Sequence, residues 1–223
     1  MRPTPPRAAV HSQVIGQSVR GRPIYMHIFG TTPNPALVFG GIHGNERNSS
    51  EMADLLIEHL QRNPHLTQGK SVAVIPHANP DGLVANTRHN VRGVDLNRNF
   101  PATNWKSTRD QHGETPLSES ESRALYNAVR SLRPRLTISL HSINGQKQCN
   151  NYDGPAEGLA RLMARFNGYP VKSSIGYPTP GSFGSWCGKD LNIPTITLEI
   201  PKSMPGTTGW NQNRDAILAA IGM

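Results

Sequence analysis

Five short apolar runs limit what this chain can become. Pro23–Phe29, Ala36–Phe39, Ser71–Ile75, Leu136–Leu140 and Thr195–Ile200 are rich in Val, Ile and Leu and have the length of strands rather than helices. Helical periodicity lies between them. Ser50–Gln61 puts Met52, Leu55, Leu56 and Leu60 on one face, and Ser118–Leu132 groups Leu125, Val129 and Leu132, with Leu117 just before it, in the same way. Ser118 is the expected N-cap of the second helix, with Glu121 three positions on as its capping-box partner. Pro155–Phe166 and Asn211–Ile221 complete the helices. Strands alternating with helices predict an α/β fold with a mainly parallel sheet. No repeat or low-complexity linker divides the 223 residues, and this length suits a single domain over 1–223 with a sizeable core. Residues 1–13 read as a loose Pro-rich leader.

Sheets of this kind bind ligands beyond the carboxyl ends of their strands. In LVFGGIHGNE, Leu37–Glu46, an apolar run stops at two glycines and is followed by His43 and Glu46. His141 follows Leu136–Leu140, and Glu199 lies near the end of Thr195–Ile200. A catalytic zinc takes three protein ligands, often two His and one Glu, and keeps a position for water. His43 and Glu46 can supply two of them from one turn, which Gly40, Gly41 and Gly44 allow to bend sharply. His141 can supply the third from another strand. An H-x-x-E pair alone arises readily by chance; the second strand-end histidine makes the set informative. Metal chemistry also needs a base for the attacking water. Glu199, in ITLEIP, is the candidate, the plainer alternative being a surface ion pair. An ionised carboxylate in an apolar strand needs a partner or a task.

The segment Arg88–Pro101, RHNVRGVDLNRNFP, concentrates Arg88, Arg92 and Arg98, the last of them between two asparagines. Arginine suits bidentate carboxylate recognition and polarisation of a carbonyl. The plainer reading is a basic surface loop, but the segment lacks the periodicity of a simple solvated face.

The formal net charge is +8, yet the basic residues are scattered and aromatics make up 6%. That excludes the clustered basic and aromatic pattern of nucleic-acid binding and favours a field that attracts a small acidic substrate. No apolar run approaches the roughly 18 residues of a membrane span. The N-terminus, MRPTPPRAAVHSQ, has no apolar stretch of a secretory signal. Cys149 and Cys187 form no C-x-x-C motif, and two free thiols in a reducing cytoplasm are expected. The sequence leaves a homodimer open. His59 and His65 read as solvated, His27, His89 and His112 have no evident partner, and His77 ends a strand, where it could support the metal ligands from behind.

GIHGNE, NPDG at Asn79–Gly82, GVDLNRNFP, TPLSESES at Thr115–Ser122, SLHS at Ser139–Ser142 and TLEI together resemble the zinc carboxypeptidase family over most of the chain. NTRHNVRGVDLNRNFPATNW, NYDGPA at Asn151–Ala156 and IGYPTPGSFGSWC at Ile175–Cys187 resemble its bacterial murein peptide amidase branch. The resemblance implies a three-layer α/β/α domain with a central twisted, mixed but mainly parallel sheet. It implies one zinc ion on His43, Glu46 and His141, with Glu199 as general base and then general acid. Asp95 would orient His43, Arg88 would stabilise the oxyanion, Asn97 and Arg98 would hold the substrate carboxylate, and Tyr177 would close over the substrate. The implied substrate is a small acidic murein tripeptide, cut between γ-D-glutamate and meso-diaminopimelate in the cytoplasm, with no nucleic-acid or membrane partner. A deacylase of the aspartoacylase or succinylglutamate desuccinylase type shares the ligands. A general carboxypeptidase and a catalytically silent binding module complete the alternatives.

Overall fold

Alternation along the strands sorts apolar residues onto two faces of one sheet. The computed structural model describes residues 10–107 and 111–223. The strands are β1 (Val10–Gln17), β2 (Pro23–Gly30), β3 (Ala36–Phe39), β4 (Ser71–Ile75), β5 (Leu136–Ile143), β6 (Cys149–Asp153), β7 (Val171–Lys172) and β8 (Thr195–Pro201). They form one mixed sheet in the order β1-β2-β4-β3-β5-β8-β6-β7. The centre, β4-β3-β5-β8, is parallel, whereas β1, β2 and β6 join by antiparallel pairing.

Ala36 and Val38, Val72 and Val74, Ile138 and Leu140, and Ile196 and Leu198 face one layer. That layer holds α1 (Arg47–Arg62), α4 (Glu157–Asn167) and α5 (Gly206–Ala220). The intervening residues Leu37, Phe39, Ala73 and Ile75 face the other layer, with α3 (Ser120–Leu132) and a π-helical segment, Gly184–Asp190. The period of two thus yields the three layers directly. On this second face Phe39, Phe100, Phe183 and Trp186 interlock, with Phe100 and Trp186 stacked at 5.5 Å between centroids. Aromatic pairs of this kind contribute about 0.5–1.5 kcal/mol beyond their burial. They fix GVDLNRNFP and GSFGSW against each other.

Several boundaries depart from the sequence reading. β1 takes in Val10–Gln13, so the end of the expected leader is strand; residues 1–9 lie outside the described residues. Ser118 does not cap α3: Glu119 holds the N-cap position without a side-chain cap, and Ser118 Oγ donates to Glu119 Oε1. Glu121 is buried and accepts from the Val19 amide and the Asn90 side chain instead. α5 starts at Gly206, after Pro205, rather than at Asn211. Asn79–Gly82 opens a short helix, α2 (Pro80–Ala85), whose first turn is capped by the Asn79 side chain. Among the described residues no helix is long and apolar enough to cross a membrane.

Candidate active site

β3 pairs with β4 on one side and β5 on the other. The chain therefore leaves β3 in one direction and later returns on its opposite flank, which opens a crevice at the carboxyl ends of β3 and β5. Three groups meet there. His43 lies in the turn after β3. Glu46 occupies the N-cap position of α1, but its side chain makes no cap and turns into the crevice. His141 lies within β5 and pairs in register with Glu199 of β8, so both side chains emerge on the same face.

The turn that carries His43 and Glu46 is tightly constrained. Gly41 has a φ of 68°, a region disfavoured for residues with a Cβ. A Cβ on Gly44 would collide with the backbone of Gly82 in α2. Ser49 Oγ donates to the Glu46 carbonyl at 2.7 Å and accepts from the Gly41 amide, which closes the turn on itself.

Each Glu46 oxygen faces one imidazole. Oε1 lies 2.8 Å from His43 Nδ1, and Oε2 lies 3.2 Å from His141 Nδ1 and 2.9 Å from the Ser142 amide. The donor atoms of His43, Glu46 and His141 all lie within 4.8 Å of one another, and all three residues are buried. His43 Nε2 meets Asp95 Oδ1 at 3.0 Å, so the far nitrogen carries the proton and Nδ1 turns inward. Asp95 is itself held by Arg88 Nε at 3.1 Å and by the Asn97 amide at 2.9 Å. Burial pushes His43 toward its neutral form, but Glu46 and Asp95 outweigh it and hold the metal-free imidazolium up to about 9. Burial works against the ionised Glu46 and Asp95 too; His43 overcomes it and keeps both carboxyls well below the usual range. Such a buried carboxylate shared by two imidazoles suits a divalent cation, which would replace the protons now holding it together. Two His and one Glu match zinc by donor type.

Glu199 is different. It is 6% exposed, its Oε2 has no hydrogen-bond partner among the described residues, and burial raises its pKa, only partly offset by His141. An unpaired carboxylate beside a cluster of this kind is placed to accept a proton.

The other expected residues fall into two groups. Arg88, Asn97, Arg98 and Tyr177 line the same cavity as the cluster and Glu199. Asn97 Oδ1 accepts from the Phe183 amide at 2.9 Å, which leaves the amide nitrogen as the donor. Arg98 Nη1 donates to the Asn97 carbonyl. Tyr177 is half exposed on the loop before the π-helical segment. Arg92 stands apart: it points to Glu119, 3.8 Å away. His77 pairs with the exposed Asp54 instead of supporting the cluster. Sequence reasoning missed the Ser142 amide, because a main-chain donor leaves no side-chain signal. It also missed the cavity residues Asp153 and Lys189; the NYDGPA stretch flagged the first without a role.

The zinc carboxypeptidase family model matches residues 6–153. Murein peptide amidase A of Escherichia coli is 33% identical over 202 residues, which is 83% of this chain and 79% of that protein. Its namesake in Vibrio campbellii is 29% identical over 223 residues, 92% of this chain and 85% of that one. The crystal structure of murein-tripeptide amidase from Escherichia coli superposes with a TM-score of 0.80 at 29% identity, covering 100% of this chain and 96% of that chain. With the model spanning most of the sequence and the cluster at its strand ends, the chain belongs to the zinc carboxypeptidase family of hydrolases.

Proposed function

We propose that this enzyme is a murein peptide amidase that hydrolyses the bond between γ-D-glutamate and meso-diaminopimelate, with one zinc ion on His43, Glu46 and His141. The observation that carries the reading is the unpartnered Glu199 carboxylate beside a buried His–Glu–His cluster, in a cavity that also presents two arginines. A bound zinc ion would supply Lewis acidity to the scissile carbonyl and the water.

The chain's own groups do the rest. Glu199 accepts a proton from the attacking water and returns it to the leaving amine; its raised pKa brings it nearer the operating pH. Arg88, fixed by Asp95 and partly exposed to the cavity, donates to the developing oxyanion. Asn97 and Arg98 hold the free carboxylate of the substrate, and Tyr177 covers it. Asp95 orients His43. A murein peptide carries several carboxylates, which suits these arginines and the net charge of +8. Cys149 and Cys187 are buried and unpaired, which supports a reducing cytoplasm and a task in recycling cell-wall peptides. The whole chain serves as one catalytic domain.

Mass spectrometry of products from L-Ala-γ-D-Glu-meso-diaminopimelate, a hippuryl amino acid and an N-acyl amino acid tests the reading. Free meso-diaminopimelate should form fastest. If the hippuryl compound is the best substrate, a general carboxypeptidase replaces the amidase.

A further inference from the structure

Two histidines that the chemistry above does not use are brought to one side of the sheet by the fold. β2 and β4 pair antiparallel with His27 opposite Val74, and residues opposite each other in such a pair share a face. Val74 and Phe29 pack into the layer that holds α1, so His27, two residues before Phe29, emerges on that side as well. His77 follows the end of β4, and its Nε2 lies 3.1 Å from Oδ2 of Asp54 in α1. Asp54 and His77 are both near enough to His27 to act on its charge. Two imidazoles and a carboxylate from three segments of the chain therefore face one patch of surface, and none of them lines the catalytic cavity.

His27 is prepared as a ligand. Ser12 Oγ lies 2.8 Å from His27 Nδ1 and can accept its proton, which leaves the Nε2 lone pair open. Tyr25 stacks on the same ring at 6.4 Å between centroids. Burial lowers the His27 pKa; Asp54 offsets part of this, and His77 lowers it again, so the imidazole is neutral at neutral pH, the form that ligates. Among the described residues Asp54 has no cationic partner besides His77.

We propose that His27, Asp54 and His77 form a second metal site, outside the catalytic cavity, for a divalent transition ion, with zinc the leading fit by donor type. Two imidazoles and one carboxylate are donors that zinc, cobalt and nickel accept, whereas calcium and magnesium call for oxygen ligands. An ion here would exchange the single His77–Asp54 contact for three ligand bonds and leave its remaining positions to water. The inference does not depend on which peptide the enzyme cuts.

This site is closed by its ion and not preformed. The catalytic donors lie within 4.8 Å of one another, and among the described residues no other set of three is so tight. The His77 and Asp54 side chains are 46% and 45% exposed, so both can turn toward His27. Binding should therefore be weaker than at the catalytic cluster, and dialysis should empty this site first. The effect of the ion is a cross-link. It would tie β2 to α1 and to the turn after β4, and a ligand that binds only the folded chain stabilises that chain.

Calorimetric titration of ZnCl2 into the dialysed holoenzyme, with metal analysis beside it, reads the site without turnover. The wild type should take up a second equivalent of zinc and unfold at a higher temperature in excess zinc. His77→Ala and His27→Gln should lose that second equivalent and the thermal shift, while keeping the first ion and the basal rate of the dialysed enzyme. CoCl2 should occupy the same site, and MgCl2 should not. If His27→Gln unfolds, the exposed positions carry the test through His77→Ala and Asp54→Asn. A wild type that stops at one equivalent overturns the site. So does a second equivalent that survives in His77→Ala, which would place the ion on other residues, and so does equal uptake of magnesium.

Discussion

The metal corner and the far wall of the cavity are built on opposite plans. At the corner His43, Glu46, Asp95 and His141 are buried, and they hold one another through a chain of hydrogen bonds. Arg88 and the Ser142 amide close that chain. The wall around Ser173–Thr179 is largely exposed, and its charged pair, Asp153 and Lys189, is a single contact between β6 and the π-helical segment. The corner needs several elements at once to keep each ligand within reach, so it tolerates little change. The wall needs only shape and charge, so it can vary without disturbing the chemistry. Rigid support belongs where bonds are made, and selectivity can sit on loops.

Breaking the corner should have the largest effect. His141→Ala removes one donor from a three-residue cluster, so the protein should lose stoichiometric zinc and its activity should fall to background. Metal analysis beside an activity assay checks this; retention of both would place the metal elsewhere. Glu199→Gln should be smaller and cleaner. The amide nearly preserves volume but cannot take a proton, so zinc should stay bound while turnover drops roughly 10²–10⁴-fold. A zinc-loaded variant with near-normal rate would remove Glu199 from the chemistry.

Asp95→Asn should be milder still, since it touches the metal only through His43. An orienting partner of this kind is worth about 10–100-fold in metal affinity. The same contact has a signature in pH. His43 is raised from 6.5 to about 9 in the metal-free protein. Its contribution to stability is therefore full below pH 6.5 and lost as pH rises through about 9. Zinc uptake near neutral pH should release that proton, so the observed heat should depend on the ionisation enthalpy of the buffer. In Asp95→Asn this dependence should shrink; an unchanged proton release would show that Asp95 does not hold His43 charged.

The fold was legible where a strand is buried on both faces. Ala36–Phe39 and Ser71–Ile75 coincide with β3 and β4, because continuous apolar runs are what a central parallel strand requires. The edges were not legible. β1 reads VHSQVIGQ and is mostly exposed, so it carries little apolar alternation. β6 reads CNNYD, a composition with weak strand preference, and it is a strand because β8 pairs with it. Ser118 and Glu121 matched a capping box, yet the buried Asn90 side chain and the Val19 amide claimed Glu121 for tertiary hydrogen bonds.

For the site, the sequence by itself determined the donors: two strand-end histidines, the glutamate of GIHGNE and the glutamate of TLEI. Local backbone rules place these at strand ends, and residue chemistry limits what they can bind. Only the tertiary structure decided which atoms meet. It turned Glu46 away from its helix cap, left Glu199 Oε2 without a partner among the described residues, and sent Arg92 to Glu119 while Arg88 stayed beside Asp95. It also set Asp153 against Lys189 across two elements thirty-odd residues apart in the chain. The physical reason is range. Strand and turn preferences act over a few neighbouring residues, whereas burial and pairing of charges depend on surfaces that exist only after distant segments have packed.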